Sequence, residues 1–293
     1  MMAIITISRG SYFRGKEIAQ KVAQKLGYAC ISRENLLKNS KEFNIPEIKL
    51  IHAFEDGPSI LNRFTHGRER YIAYIQAALL NNLKKDNLVY HGFAFHCFVK
   101  DIPCTLKVRI TAELEDRIGY VMGRDKISKR DAERFIKKVD DQRRKWSRRL
   151  YGIDPSDPSL YDLVLNIGEI TVADSVDTIC HVIGFKQYQT TLESKKVMSD
   201  LALTAEVKAA LMDLNPNVGV SCENGIVTLE TDDRSVQERK LITNMMDIDK
   251  TVRGIKGINV VVEGFSHDSS LYRSNQPTKC TREIIGTYFS ELG

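Results

Sequence analysis

The chain has 293 residues, of which 42% are hydrophobic and 28% are charged, and its net charge is +5. These values are ordinary for a globular protein, and the length allows one large domain or two smaller ones. The sequence contains no apolar run of the roughly 18 residues that a bilayer crossing requires, and no basic segment followed by an apolar one marks a secretory signal.

The cysteines indicate a reducing compartment. Six are scattered along the chain without a C-x-x-C pair, which argues against a disulfide framework and against a zinc site. We therefore expect a cytoplasmic protein with free thiols and predict no metal-ligand cluster. These cysteines are Cys30, Cys97, Cys104, Cys180, Cys222 and Cys280.

The first elements predict a strand, a loop and a helix in that order. Residues 3–9 (AIITISR) are β-branched and apolar, which is typical of a buried strand. Residues 10–15 form a loop, and residues 16–26 carry apolar side chains at helical spacing until Gly27 ends the helix. This order is the context that a phosphate-binding loop requires.

The loop itself reads GSYFRGKE, with the spacing G-x-x-x-x-G-K. In such a loop, backbone N–H groups and a helix N-terminus hold phosphates while the lysine reaches the terminal ones. Tyr12, Phe13 and Arg14 are bulky for this role, and Glu17 stands where a Ser or Thr is usual, so a simple glycine-bounded turn is the alternative. The candidate nucleotide-binding residues are Gly10, Ser11, Arg14, Gly15, Lys16 and Glu17.

Strands and helices then alternate to about residue 185. Helices are predicted at 32–44, 69–83 and 172–182, strands at 87–90, 105–112 and 161–168, and a loop at 56–67. A long basic helical region covers 113–151, with a break near 125–128. This alternation predicts an α/β fold with a mostly parallel sheet and helices on both of its faces.

The basic helical region concentrates the positive charge. Residues 117–149 contain thirteen Lys or Arg against five Asp or Glu, which predicts that this segment meets a polyanion. A solvated helix face is the plainer interpretation for any single arginine. Nucleic acid is a competing polyanion, but aromatic residues that could stack on bases are sparse here, so we disfavour it.

Residues 1–185 resemble the cytidylate kinase-like family of P-loop nucleoside monophosphate kinases. The matching stretches are ITISR, the Gly15-Lys16 pair, IAQKVAQKLGY, ISRENLL, NLVYHGFAF, the basic helical region and DPSLYDLVLNIGEITVADSVDTI. The resemblance implies ATP and Mg²⁺, nucleotides as the binding partners, and γ-phosphoryl transfer to a nucleoside monophosphate. It also implies that the basic helices form a lid over the two nucleotides.

By this resemblance, the catalytic residues are Lys16, Arg117, Arg124, Arg143, Arg144 and Arg148. The candidates for holding the monophosphate are Arg33, Arg63, Arg68, Arg70 and Gly92. Phe93 follows Gly92 where the family usually has an arginine, and Ser32 replaces a usual acidic residue. A catalytically degenerate kinase fold that acts as a nucleotide-sensing or interaction protein is therefore the alternative function.

A second unit is expected after a polar linker at 186–196. Residues 197–264 are predicted as helix (203–214), hairpin over Asn224-Gly225, helix (236–246) and strand (254–263). This order, with LTAEVKAAL, NGIVTLE and VRGIKGINVVVE, resembles a BON domain, which implies a regulatory or partner-binding module. The apolar strand at Val260–Val262 could pair at a sheet edge and favour a homo-oligomer or a protein partner. Residues 265–293 are expected to form a flexible tail, with a helical turn at 282–292.

Overall fold

A computed structural model describes residues 3–9, 14–32, 67–92, 99, 102, 104–212, 215–231, 252–264 and 281–289. The chain divides into two compact units. Unit 1 comprises Met1–Arg68 and Asn81–Lys195, and unit 2 comprises Glu69–Leu80 and Lys196–Gly293. The predicted helices at 32–44 and 236–246 and the loop at 56–66 lie outside the described residues.

Unit 1 is built on a five-stranded sheet in the order β2-β3-β1-β4-β5, and all of its strand pairs are parallel. The strands are β1 (Ile4–Arg9), β2 (Ala29–Ser32), β3 (Leu88–His91), β4 (Thr105–Ala112) and β5 (Leu163–Ile167). The predicted α/β class with a parallel sheet is confirmed. Because β1 lies at the centre, its carboxyl end lies in the middle of the carboxyl edge of the sheet, where ligands of such sheets bind.

Two helices pack on this sheet in one apolar core. The helix α1 (Gly15–Leu26) buries Ile18, Ala19, Val22 and Ala23, and it ends at Gly27, whose φ of 70° suits a glycine. The second helix in this core is α5 (Val172–Val182), which begins with a capping box between Thr171 and Asp174. Another helix, α2 (Gly67–Leu83), precedes β3 in the chain. A helical layer on the opposite face stays a prediction.

The basic region forms two helices, α3 (Leu114–Asp125) and α4 (Lys129–Tyr151), followed in the chain by α5. The predicted break is present: Lys126 has a φ of 54°, and Ser128 caps α4 by accepting a hydrogen bond from the Asp131 N–H at 3.2 Å. The two helices share a small apolar cluster of Ile118, Val121, Ala132 and Ile136. The two helices therefore pack together through their own contacts.

Unit 2 contains helix α6 (Leu192–Leu211, which begins in unit 1) and a four-stranded sheet in the order β6-β7-β8-β9. The strands are β6 (Gly219–Glu223), β7 (Ile226–Thr231), β8 (Gly257–Gly264) and β9 (Thr281–Phe289). The predicted hairpin is confirmed, because Asn224 and Gly225 have φ angles of 57° and 83° and β6 pairs with β7 in antiparallel fashion.

Three predictions for this region differ from the structure. Residues 281–289, rich in β-branched and aromatic residues, form β9 instead of a helical turn, so part of the predicted tail is a strand. Because β8 lies between β7 and β9, Val260–Val262 do not form a sheet edge. The predicted 186–196 linker contains a short 3-10 helix at Lys186–Tyr188 and the first residues of α6, which begins at Leu192.

The early start of α6 has a local cause. The Thr191 N–H donates to the Ser194 Oγ at 2.8 Å, and the Ser194 N–H donates to the Thr191 Oγ1 at 3.1 Å. This reciprocal cap begins a helix in a stretch whose polar composition resembles a linker. Among the described residues, no helix has the length and apolarity that a membrane span requires.

Candidate active site

The end of β1 and the start of α1 lie in direct contact. A Cβ on Gly15 would come within 2.8 Å of the Arg9 Cβ and 2.9 Å of the Arg9 Cδ. Only a glycine therefore lets the first turn of α1 approach the Arg9 side chain this closely. The result is that the Arg9 stem lies against the helix start.

The start of α1 presents backbone donors. Its first intrahelical hydrogen bond runs from the Ile18 N–H to the Arg14 carbonyl at 2.9 Å, so the N–H groups of Gly15, Lys16 and Glu17 precede that ladder. Arg14 occupies the N-cap position with a φ of 25° and makes no capping hydrogen bond with its side chain. Such a helix end carries partial positive charge and favours anions.

A cleft of about 330 Å³ opens at this point, and we call it the helix-start cleft. Four of its lining residues are cationic and one is acidic. Glu17, the acidic residue, pairs with Lys21 at 2.8 Å on the exposed surface of α1. The cleft is lined by Arg9, Arg14, Lys16, Glu17, Gln20, Tyr120 and Arg124.

A second cleft of about 200 Å³, the arginine cleft, lies over the carboxyl half of β1 and β4. Five arginines line it together with two aspartates, which gives it a strong excess of positive charge. The lining residues are Ser8, Arg9, Arg109, Thr111, Arg117, Asp140, Arg143, Arg144, Asp154, Pro155 and Ser156.

Arg109 is held in place within the arginine cleft. Its Nη1 donates to the Pro155 carbonyl and, at 3.3 Å, to the Tyr161 hydroxyl. The guanidinium also lies 5.5 Å from the centre of the Tyr161 ring, which is a cation–π distance. The Tyr161 hydroxyl in turn contacts Ser8 Oγ at 3.3 Å. These contacts fix the cation against the sheet.

The helices α3 and α4 supply the other arginines. Arg117 Nη2 lies 2.6 Å from Asp140 Oδ2, with 13% and 31% of the two side chains exposed. Arg143 Nη1 donates to the Arg9 carbonyl at 3.3 Å, which brings α4 to the end of β1. Arg144 is exposed at the rim of the same cleft.

A tight turn at 154–156 closes one side of the arginine cleft. Asp154 Oδ1 accepts hydrogen bonds from the Ser156 hydroxyl at 2.5 Å and from the Ser156 N–H at 2.9 Å. These bonds, with a smaller contribution from Arg148 at 2.8 Å, lower the pKa of Asp154 from 3.8 to about 2. Asp154 is therefore ionised at neutral pH and holds the turn.

Comparison with known proteins places this geometry in a family. The profile of the Cytidylate kinase-like family matches residues 4–169, which include every residue that lines the two clefts. The chain belongs to the Cytidylate kinase-like family. The resemblance inferred from the sequence is thus confirmed for this part of the chain.

Curated relatives agree with this membership. The chain is 28% identical to the cytidylate kinase of Pyrobaculum islandicum over 191 residues, which is 63% of this chain and 97% of that protein. It is 27% identical to the cytidylate kinase of Sulfolobus acidocaldarius over 180 residues, or 60% and 91% of the two chains. Among solved structures, an uncharacterized protein from Eubacterium ventriosum has a TM-score of 0.48 at 21% identity, covering 62% of this chain and 98% of that one.

Several residues implied by the family resemblance lie at the two clefts. Lys16 lines the helix-start cleft with Arg14, Glu17 and Arg124, and Gly15 is buried beside them. Arg124 forms a two-pronged contact with Asp125 at 2.6 Å through both Nε and Nη2. The members in the arginine cleft are Arg117, Arg143 and Arg144. Arg148 lines neither cleft and instead pairs with Asp154.

The predicted acceptor residues are not brought together at the described clefts. Gly10, Ser11, Arg33 and Arg63 lie outside the described residues, as does the Arg68 side chain. Arg70 is half-buried in the part of α2 that belongs to unit 2, and Gly92 donates to the Ile7 carbonyl at 3.2 Å. Neither Arg70 nor Gly92 lines either of the two described clefts.

Sequence reasoning missed Arg9 and Arg109. The signal for Arg109 is present in TLKVRITA, where Lys107, Arg109 and Thr111 alternate with buried apolar residues. A strand inside a parallel sheet usually reads as a continuous apolar run, so a polar row on one side indicates a site. Arg9 ends β1 directly before the loop, where a charged side chain reaches the carboxyl edge.

Proposed function

We propose that the chain transfers the γ-phosphoryl group of ATP to the phosphate of a nucleoside monophosphate, in the manner of a cytidylate kinase. The observation that carries this proposal is the meeting of two cationic clefts at Arg9, beside the start of α1. One cleft suits a triphosphate and the other suits a monophosphate. Family membership supports the same reaction class.

The helix-start cleft is the proposed ATP site. The three leading N–H groups of α1 and the exposed ammonium of Lys16 suit the β- and γ-phosphates, because all of them are hydrogen-bond donors at the same helix end. Among the described residues Lys16 forms no ion pair, so its charge is available to an anion.

The arginine cleft is the proposed monophosphate site. Its planar guanidinium groups can each grip two phosphate oxygens and stay protonated at any physiological pH. Arg109 and Arg117 are already held by Pro155, Tyr161 and Asp140, so they need little ordering when the acceptor binds. This preorganisation is the main means by which a protein accelerates phosphoryl transfer.

The residues present also fit a Mg²⁺ ion that arrives with ATP. Glu17 offers a carboxylate in the helix-start cleft, and one carboxylate combined with phosphate oxygens is a usual set of Mg²⁺ ligands. Among the described residues no group of three or more His, Cys, Asp or Glu is arranged for a metal. The ion would neutralise charge on the phosphates, and Glu17 would have to leave Lys21 to hold it.

The reaction then depends on how the acceptor phosphate and the γ-phosphate of ATP are positioned. An oxygen of the acceptor phosphate attacks the γ-phosphorus, the bond from that phosphorus to the β–γ bridging oxygen breaks, and ADP leaves with the electron pair. The helices α3 and α4 are the proposed lid, which excludes water that would otherwise take the phosphoryl group. Their arginines balance the charge that moves during the transfer.

A coupled ADP-release assay against a panel of nucleoside monophosphates tests this function. We expect ATP-dependent turnover with at least one monophosphate, and we expect Lys16→Ala to lower it by about 100-fold or more. Lys145→Ala is the matched control, because Lys145 lines neither cleft and pairs with Asp141 at 2.7 Å on the exposed face of α4. The absence of turnover with every monophosphate, together with a rise in melting temperature on adding ATP, would favour the nucleotide-sensing alternative.

We also propose that unit 2 is a regulatory or partner-binding module of the BON type. The hairpin over Asn224-Gly225 and the parallel pairing of β7 with β8 support this proposal. Sedimentation of the full chain over a range of concentrations tests for self-association. A monomer at all concentrations would leave a different protein or a ligand as the partner.

A further inference from the structure

Arg9 is the residue that the two described clefts share. It is the last residue of β1 and pairs in register with Ile110 of β4, at the carboxyl edge of the sheet. It lines the helix-start cleft together with Lys16 and the arginine cleft together with Arg109. No other residue lines both clefts in the described part of the chain.

The stem of Arg9 packs against Gly15, and the Arg9 backbone carbonyl is held by a hydrogen bond. Gly15 leaves room for the stem, since a Cβ at that position would lie 2.8 Å from the Arg9 Cβ. The Arg9 carbonyl accepts a hydrogen bond from Arg143 Nη1 at 3.3 Å. The Arg9 stem therefore lies against the helix start, and the Arg9 backbone contacts Arg143 of α4.

The positive charge of Arg9 is also available to an anion. Arg117 is paired with Asp140 and Arg124 with Asp125, both at 2.6 Å. Arg9 forms no ion pair within the described ranges, and its side chain is half-buried. A half-buried cation without a carboxylate partner favours an anion at its tip.

We propose that Arg9 is a catalytic residue that contacts the phosphoryl group as it passes from one cleft to the other. The proposal rests on the proposed function of the two clefts. In the step described above, Arg9 donates to oxygens of the moving phosphoryl group while the bond to ADP breaks and the bond to the acceptor forms. Its contribution is therefore greatest when phosphates fill both clefts.

The experiment compares Arg9→Gln and Arg9→Lys with the wild-type full chain. Turnover is measured with the best monophosphate, and calorimetry measures the affinities for ADP and for a bisubstrate compound in which five phosphates join adenosine to cytidine. The matched control is Arg134→Gln, whose exposed arginine pairs with Asp131 at 3.5 Å and lines neither cleft. Thermal unfolding checks folding, and Arg9→Lys keeps most of the stem against Gly15 if Arg9→Gln does not fold.

We expect Arg9→Gln to lower kcat and bisubstrate affinity by about 100-fold each, to change ADP affinity by less than about threefold, and Arg9→Lys to restore part of the loss. An equal loss of affinity for ADP and for the bisubstrate compound would overturn the proposal, because Arg9 would then serve the helix-start cleft alone. Unchanged affinities for both compounds would also overturn it. If the wild type binds the bisubstrate without turning over any monophosphate, the kinase function fails and with it the catalytic role of Arg9; a selective loss of bisubstrate affinity in Arg9→Gln would then show only that Arg9 contacts phosphates that span both clefts. A wild type that does not bind the bisubstrate would overturn both.

Discussion

The Arg117 guanidinium lies 2.6 Å from the Asp140 carboxylate, and this ion pair joins α3 to α4 at the arginine cleft. The two helices carry most of the charge of the basic region, yet they pack through only a small apolar cluster. The pair therefore has two effects: it connects the helices and it orients an arginine toward the cleft.

Asp140→Asn tests both effects. We expect the free energy of unfolding to fall by about 1 kcal/mol, because the pair is only partly exposed, and KM for the monophosphate to rise about tenfold as Arg117 loses its anchor. Denaturant unfolding and steady-state kinetics measure these changes. Asp141→Asn is the control, since Asp141 is 51% exposed and pairs with Lys145 at the surface; equal effects from both variants would contradict the prediction.

The close approach of Gly15 to Arg9 predicts the effect of Gly15→Ala. A methyl group there would press against the Arg9 Cβ and Cδ atoms. We therefore expect the free energy of unfolding to fall by about 1–3 kcal/mol, and turnover to fall by more than this loss of stability alone would cause. Gly123→Ala is the matched control, because a methyl group added there would meet nothing within 4 Å and alanine favours a helix by about 1 kcal/mol. A Gly15→Ala protein as stable and as active as the Gly123→Ala protein would refute this packing.

The turn at 154–156 predicts a pH dependence. The pKa of Asp154 is lowered from 3.8 to about 2, chiefly by the Ser156 hydroxyl, so this carboxylate stabilises the folded state above its unfolded pKa and loses that effect as pH falls toward its folded pKa. We expect Ser156→Ala to raise the pKa of Asp154 toward 3.8, as measured by carbon NMR titration of its carboxyl group. A wild-type Asp154 that titrates at 3.8 or above would contradict the geometry.

Asp200 of α6 predicts a separate effect in unit 2. Its carboxylate accepts hydrogen bonds from the N–H groups of Asn224 at 2.8 Å and Gly225 at 2.9 Å, which fixes the hairpin turn. We expect Asp200→Ala to destabilise unit 2 by about 1–3 kcal/mol and to speed amide exchange at those two residues, with a smaller effect for Asp200→Asn. Unchanged exchange rates at Asn224 and Gly225 would show that the turn does not depend on Asp200.

Local signals in the sequence predicted much of the fold. The Asn224-Gly225 pair predicts its hairpin because two residues with positive φ are needed there, and the break between α3 and α4 follows from the polar stretch that ends at Ser128. The start of α6 was missed because its cap uses Thr191 and Ser194 in a polar stretch. The strand β9 was missed because its pairing with β8 spans a long polar segment that no local pattern reveals.

The candidate site was also only partly predictable, because some of its residues meet through the tertiary fold and not through a local sequence pattern. Lys16 and the arginines of α3 and α4 stand out as a motif and a charge cluster along the chain. Arg9 and Arg109 belong to the site because β1 pairs with β4, which places Ser8 opposite Arg109 and Arg9 opposite Ile110 near the carboxyl ends of both strands, where Arg9 and Arg109 line one cleft. Such neighbours are set by the tertiary fold, and no spacing rule along the sequence brings them together.

The most direct measurement follows the terminal phosphate of ATP. The full chain is incubated with ATP labelled on its γ-phosphate, Mg²⁺ and CMP, and the products are separated. Label recovered in CDP, and lost from it in the Lys16→Ala protein, is the predicted result. Label that stays in ATP or appears only as inorganic phosphate, with CMP and with every other monophosphate, would contradict phosphoryl transfer between the two clefts.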